Sequence, residues 1–152
     1  MDLGAVLKKY NIRDTKRFYT EINTKAQAGQ EIITYDGSRG SVPEVSHIKT
    51  ELLDWVFSRF PFHKTWSFDE DLGIWTVSLD DLNLYGEGRS KKDAIEDLID
   101  STLEYLQIYY ANPEWFLNHE ETASHFVYLR RIARCEGDRE AIKDLLGLKD
   151  AD

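Results

Sequence analysis

Cysteine occurs once in this 152-residue chain, methionine once and proline three times. A single thiol, Cys135, excludes an internal disulfide framework and any zinc site built on several cysteines. No apolar run approaches the roughly 18 residues that read as a membrane-spanning helix. The opening "MDLGAVLKKYNIRD" lacks the charged-then-apolar layout of a secretory signal. These absences together point to a cytoplasmic protein with no membrane partner. There is no P-loop or dinucleotide glycine pattern, and "GEG" at 86–88 is too short to cradle a phosphate. No internal repeat or low-complexity tract is present. His119 and His125 are six residues apart and do not share a helical face, so they make no metal pair.

What is present is enough apolar residue, 41%, to build one ordinary domain or two small units sharing a core. Charge divides along the chain. Residues 1–64 carry ten Lys and Arg against eight Asp and Glu, a net of +2, whereas residues 65–152 carry nine against twenty, a net of −11. The basic excess is densest in "KKYNIRDTKR" (8–17), where five basic residues face Asp14 alone. Such asymmetry fits two different partners, one of them nucleic acid, or a solvated surface whose signs segregate.

The first segment reads as a compact α+β unit. A short strand near Tyr10–Arg13 precedes Asp14, whose carboxylate suits an N-cap. Phe18, Ile22 and Ala26 recur every four residues on one helical face, and Gly29 is a natural terminator. "EIITY" (31–35) reads as a strand. Asp36-Gly37 signals a hairpin, and "SVPEVSHI" resumes extended structure at a sheet edge, because Pro43 has no N–H to donate. "TELLDWVFSRF" (50–60) reads as a helix capped by Thr50 and stopped by Pro61, with Leu53, Val56, Phe57 and Phe60 inward.

The second segment alternates first. "TWSF" (65–68) and "IWTVSL" (74–79) form a hairpin with one covered face, turning at "DEDLG" (69–73). "DDLNLYGEG" (80–88) adds an acidic turn and a short extended piece. Ser90 caps a long helix with Asp93 in the capping-box position. Ala94, Ile95, Leu98, Ile99, Leu103 and Leu106 form its apolar stripe, and Glu96, Asp100 and Glu104 make an acidic row opposite. Like charges four apart mildly disfavour an isolated helix, so the row serves either a partner or solubility. Beyond it, Asn112-Pro113 starts a short helix carrying Trp115 and Phe116. Thr122 caps "ASHFVYLRRIARCE", with Phe126, Leu129, Ile132 and Ala133 on one face. Gly137 ends that helix, and Asp138 caps "REAIKDLLG". The apolar content of these last helices favours a role in completing the core.

The stretch "NIRDTKRFYTEINTKAQAGQEIITYDGSRGSVPEV" (11–45) resembles the N-terminal domain of the Phd/YefM antitoxins, although "VPEVSHI" replaces their apolar third strand. That unit dimerises and presents the basic start of its first helix to operator DNA. The resemblance therefore implies a homodimer with Lys8, Lys9, Arg13, Lys16, Arg17 and Arg39 against phosphates, where released counterions make affinity salt-dependent. The stretch "DEDLGIWTVSLDDLNLYGEGRSKKDAIEDLIDSTLEYLQIY" (69–109) resembles the HicB-like antitoxin unit, with Asp81-Leu82, Gly88 and "RSKKDAIEDL" at the matching places. The Pro and Gly-Cys common around that loop are replaced by "NLYGE". A Phd-like start joined to a HicB-like middle resembles the Phd-like antitoxins, whose toxins are similar to RelE-type endoribonucleases.

The expected architecture is α+β: a Phd/YefM-like unit (1–62), a HicB-like hairpin and long helix (63–111), and a C-terminal helical segment (112–152). The resemblance implies a basic RelE-type toxin as partner, met by Asp80, Asp81, Glu96, Asp100 and Glu104 through electrostatic complementarity. It also makes the C-terminal segment a second toxin-contacting arm. No catalytic residue, metal or cofactor is expected. Two alternatives stay open. One is a small Mg²⁺-dependent nuclease using the Asp turns of 69–71 and 80–81. The other is a HicB-fold interaction module without DNA binding.

Overall fold

The computed structural model describes residues 7–38 and 43–150. The chain divides into two compact units, one ending at Val56 and the other beginning at Phe57. Both mix helices with a small three-stranded sheet, which makes the protein α+β.

The first unit opens with strand β1 (Lys8–Asn11), which runs directly into helix α1 (Ile12–Gln27). The helix therefore starts earlier than Asp14. Its cap is Asn11, whose side chain accepts the Arg13 N–H at 3.3 Å, and Asp14 lies in the first turn. The reason is register: β1 pairs in parallel with β2 (Ile32–Tyr35) from Lys8 to Asn11, so the strand is complete before Asp14 is reached. Ile22 and Ala26 are buried on the inner face of α1. Gly29 closes the helix at φ +96°, a backbone conformation that a Cβ disfavours. Strand β3 (Glu44–His47) pairs antiparallel with β2 and lies at the sheet edge, one residue beyond Pro43. The hairpin signalled at Asp36-Gly37 is present as the antiparallel β2–β3 pair, with β2 ending at Tyr35 and β3 beginning at Glu44. Helix α2 (Thr50–Phe57) stops short of Pro61 and has no fully buried residue. Leu53 and Phe57 are half-buried, while Val56 and Phe60 are exposed, against the expected inward stripe.

The second unit is an antiparallel sheet, β4 (Lys64–Asp69), β5 (Ile74–Leu79) and β6 (Leu84–Gly88), in that spatial order. A single 3₁₀ turn, Asp80–Leu82, joins β5 to β6, and Asn83 takes the left-handed conformation after it. Paired residues share a sheet face, so Val77, opposite Trp66 and Gly86, points toward helix α3 (Lys91–Ala111). The expected stripe packs there: Ala94, Ile95, Leu98 and Ile99 are buried, and Leu103 and Leu106 pack against the same core.

The Gly-Glu-Gly stretch has a packing explanation. A Cβ on Gly86 would stand under 3.0 Å from the Leu98 nitrogen and Cα and from the Ala94 carbonyl oxygen, and one on Gly88 would meet the Ala94 nitrogen at 2.6 Å. Strand and helix backbones touch at these two positions. Ser90 caps α3 as expected, accepting the Asp93 N–H at 3.1 Å and donating its hydroxyl to the Asp93 carboxylate at 2.7 Å.

Four shorter helices follow: α4 (Pro113–Leu117), α5 (Glu120–Ala123), α6 (His125–Ala133) and α7 (Arg139–Leu145). Thr122 is not a cap. It lies within α5 and donates its hydroxyl to the Phe116 carbonyl at 2.8 Å. Asp138 does cap α7, accepting from Glu140 and Ala141. The buried face of α6 is His125, Leu129 and Ile132, with Phe126 exposed. Phe116, Leu129, Ile132, Ile142, Leu146 and Leu148 join Val77, Leu79, Leu82 and the α3 stripe in one core. The C-terminal helices are thus integral to the second unit, as their apolar content led us to expect. Among the described residues, no helix is long and apolar enough to cross a membrane.

Candidate functional site

The basic residues singled out from the sequence gather at the β1–α1 junction. Arg13, Lys16 and Arg17 occupy the first turns of α1 at helical spacing, all exposed. Lys8 and Lys9 precede them on β1, also exposed. Lys9 is held by Glu44 of β3 at 2.7 Å, and the Arg17 guanidinium lies 5.2 Å from the Phe18 ring centroid. Glu21 forms an ion pair with Lys25, one turn on, and accepts from the Tyr10 hydroxyl. Lys25, beside Lys8, lowers the Lys8 pKa, as two ammonium groups in proximity must. Arg39 lies outside the described residues.

The acidic residues divide into two structural situations. Asp80 and Asp81 sit on the 3₁₀ turn. Asp80 accepts the hydroxyls of Ser78 (2.7 Å) and Thr65 (2.8 Å), which hold its pKa below the usual carboxylate value. The Asp81 side chain is only 10% exposed, which by itself would raise its pKa. Hydrogen bonds from the His63 backbone N–H (2.6 Å), the His63 ring (2.9 Å) and the Tyr128 hydroxyl outweigh that burial, and the net shift is downward. Asp81 therefore ties the start of β4 to α6.

On α3, the acidic row meets cations from α7. Arg139 reaches Glu96 at 2.6 Å and Asp100 at 2.7 Å, and Lys143 also pairs with Glu96. These partners lower the Glu96 pKa, with Lys143 the larger cause, and raise those of both cations. Glu104 is exposed at the far end of the row. The like-charge spacing expected to weaken α3 is offset by a basic face on a helix 40 residues away in sequence. Arg139 and Lys143, four apart, were legible as a basic stripe, but their partners were not.

The turn Asp69 to Leu72 is ordinary Asp-turn chemistry, with the Asp69 carboxylate accepting the N–H groups of Asp71 (2.9 Å) and Leu72 (3.0 Å). Among the described residues, no three His, Cys, Asp or Glu side chains converge on a common point able to hold a metal ion.

The spacing that set His125 aside as a metal ligand gave no sign that it is buried. It is 8% exposed, its Nδ1 lies 2.7 Å from the Tyr105 hydroxyl, and burial lowers its pKa. A lowered imidazole pKa means that the folded state resists protonation. Its contribution is complete above the ordinary value of 6.5 and is lost as pH falls through the depressed value. The carboxylates Glu96, Asp80 and Asp81, also depressed, add a second loss below their ordinary values. We expect acid to destabilise the second unit in two stages. In His125→Phe the stage just below pH 6.5 should vanish from the pH dependence of the urea midpoint, and an unchanged profile would remove His125 from this role.

A family model described as the antitoxin of a RelE/RelB toxin–antitoxin system (PHD-like) matches residues 6–147. A crystal structure from Syntrophomonas wolfei subsp. wolfei, described as the antitoxin part of a proposed toxin/antitoxin system, is similar in fold. Its TM-score is 0.71 at 17% identity, over 91% of this chain and 95% of that one. No curated protein matches the chain.

Proposed function

The chain belongs to the PHD-like family of antitoxins from RelE/RelB toxin–antitoxin systems, and on that premise we propose that it binds and neutralises a basic, RelE-type endoribonuclease through its acidic second unit. The observation that carries the reading is the partition of charge between the units. Residues 57–152 hold eleven Lys and Arg against twenty Asp and Glu, a net of −9, while residues 1–56 balance at eight each. A ribonuclease that binds RNA presents positive charge, and an acidic cover speeds encounter and selects orientation. Within that surface, Asp80, Asp100 and Glu104 are the exposed candidates to face the toxin. Glu96 and Asp81 act at one remove, by fixing α7 and β4. The role is regulatory and non-enzymatic, and it places the protein in the cytoplasm with the toxin's RNA targets.

We propose further that the first unit binds operator DNA as a homodimer through Lys8, Lys9, Arg13, Lys16 and Arg17. Exposure of all five on one β1–α1 junction supports this.

The deciding experiment is purification of the tagged protein expressed from its native operon, with identification of any stoichiometric small basic protein and an assay of that protein's RNA cleavage with and without the antitoxin. Uninhibited cleavage by the co-purified protein would sink the reading. For the DNA arm, Arg13→Ala/Lys16→Ala/Arg17→Ala should shallow the slope of log affinity against log salt by about 3, roughly one per lost phosphate contact. An unchanged slope would remove this junction from DNA binding.

A further inference from the structure

The sheet of the second unit has two edges, and they are treated differently. Hydrogen bonding along an antiparallel ladder alternates, so one pair fixes the phase of the rest. The Asp80 N–H donates to the His63 carbonyl at 2.9 Å, one step beyond the Lys64–Leu79 pair. His63, Thr65, Ser67 and Asp69 therefore direct their backbone groups at β5, and Lys64, Trp66 and Phe68 direct theirs outward. The same phase makes Tyr85 and Glu87 the outward residues of β6. There the Glu87 N–H is taken by the Asp97 carboxylate of α3 at 2.8 Å. The β6 edge is stoppered by a side chain. Among the described residues, no strand pairs with the outer side of β4.

An open edge invites another strand, and proteins ordinarily blunt it. Here Lys64, at one end, is committed through its ammonium to the Leu146 carbonyl, and the other end is apolar and aromatic. Phe68 is 47% exposed and Leu72 69% exposed. Phe68 packs on Trp75 with centroids 4.7 Å apart, and Trp75 meets Trp66 at 6.2 Å. The Lys91 ammonium stands 5.0 Å from the Trp75 centroid and 5.8 Å from that of Trp66, so these rings already accept a cation. The adjoining turn exposes Asp69, Glu70 and Asp71.

We propose that the outer edge of β4 is a strand-addition site for an extended, basic segment of the partner toxin. Main-chain pairing would engage Trp66 and Phe68, alternate side chains of the incoming strand would lie on the Trp66–Phe68–Trp75 surface, and its Lys or Arg residues would meet the 69–71 carboxylates. Charge selects this occupant. A second copy would bring the same net −9 to the edge, whereas a basic chain is attracted to it. The inference rests on the antitoxin reading above and adds the β4 edge to the exposed carboxylates already named as a place where the toxin is met.

The test is amide hydrogen exchange of the full chain, alone and with the small basic protein recovered by the purification above, joined to binding measurements on two variants. The Trp66 and Phe68 amides should exchange quickly in the free protein and slow at least tenfold in the complex, while Thr65 and Ser67 change little. Phe68→Pro, which removes one outward N–H, should weaken binding at least tenfold. Glu70→Lys/Asp71→Lys should slow association severalfold without altering the thermal midpoint. A complex that forms with unchanged Trp66 and Phe68 exchange overturns the site and leaves the antitoxin reading intact. Absence of any complex overturns both. Protection of β4 that grows with protein concentration in the absence of the partner overturns the choice of occupant in favour of a second copy.

Discussion

Gly86→Ala should cost the second unit about 3 kcal/mol or more, at the upper end of overpacking effects, because the added methyl has nowhere to go. The atoms it would strike are the Leu98 nitrogen and Cα and the Ala94 carbonyl oxygen, all backbone, so no side chain can rotate aside. Relief would require β6 and α3 to separate. That separation would loosen the packing of Val77, Leu98 and Ile99, all of which are fully buried. Gly88→Ala should act in the same direction through the Ala94 nitrogen. The matched control is Glu87→Ala, whose exposed side chain sits between the two glycines and points to the opposite face of the strand. Urea denaturation of the three variants decides the matter. A Gly86→Ala midpoint equal to that of Glu87→Ala would show that the helix is not held against the strand in solution.

Ending the chain after Ala111 should abolish cooperative folding of the second unit. The truncation removes Phe116, Leu129, Ile132, Ile142, Leu146 and Leu148 from the core, each no more than 7% exposed. At about 1.5–3 kcal/mol per buried apolar side chain, the loss is roughly 9–18 kcal/mol. That matches or exceeds the whole stability of an ordinary domain, about 5–15 kcal/mol. It also removes Arg139 and Lys143, leaving Glu96, Asp100 and Glu104 as an uncompensated like-charge row on α3. The expected signature is loss of near-ultraviolet dichroism and a red-shifted emission from Trp66 and Trp75. A truncated chain that still melts cooperatively, with native emission, would show that these helices are dispensable to the core.

Much of this arrangement is legible in the residues themselves. The alternation of Trp75, Val77 and Leu79, the Ser90 and Asp138 caps and the Ala94–Leu98–Ile99 stripe all follow from neighbours within a few residues. So does the stop at Gly29. The basic cluster of Arg13, Lys16 and Arg17 was legible as a density of charge in 8–17, although the expected strand took in Arg13 and only the structure puts all three on α1. The errors have a common cause. Asp14 was preferred as a cap on intrinsic suitability, but the parallel pairing of β1 with β2, some 24 residues away, ended the strand at Asn11. Thr122 looked like a cap, yet its hydroxyl is committed to Phe116. Val56 and Phe60 are apolar, but apolarity does not reveal whether a surface exists to cover them.

The sequence by itself determined the α+β composition, the order of elements, the family resemblance and the segregation of charge, because each depends on local spacing or simple sums. Tertiary structure alone decided which charges remain for a partner. Glu96 is taken up by α7, Asp81 is held by His63 and Tyr128, and Asp97 closes one sheet edge while, among the described residues, no strand covers the other. A carboxylate's availability is set by what approaches it from distant parts of the chain, and periodicity carries no record of that approach.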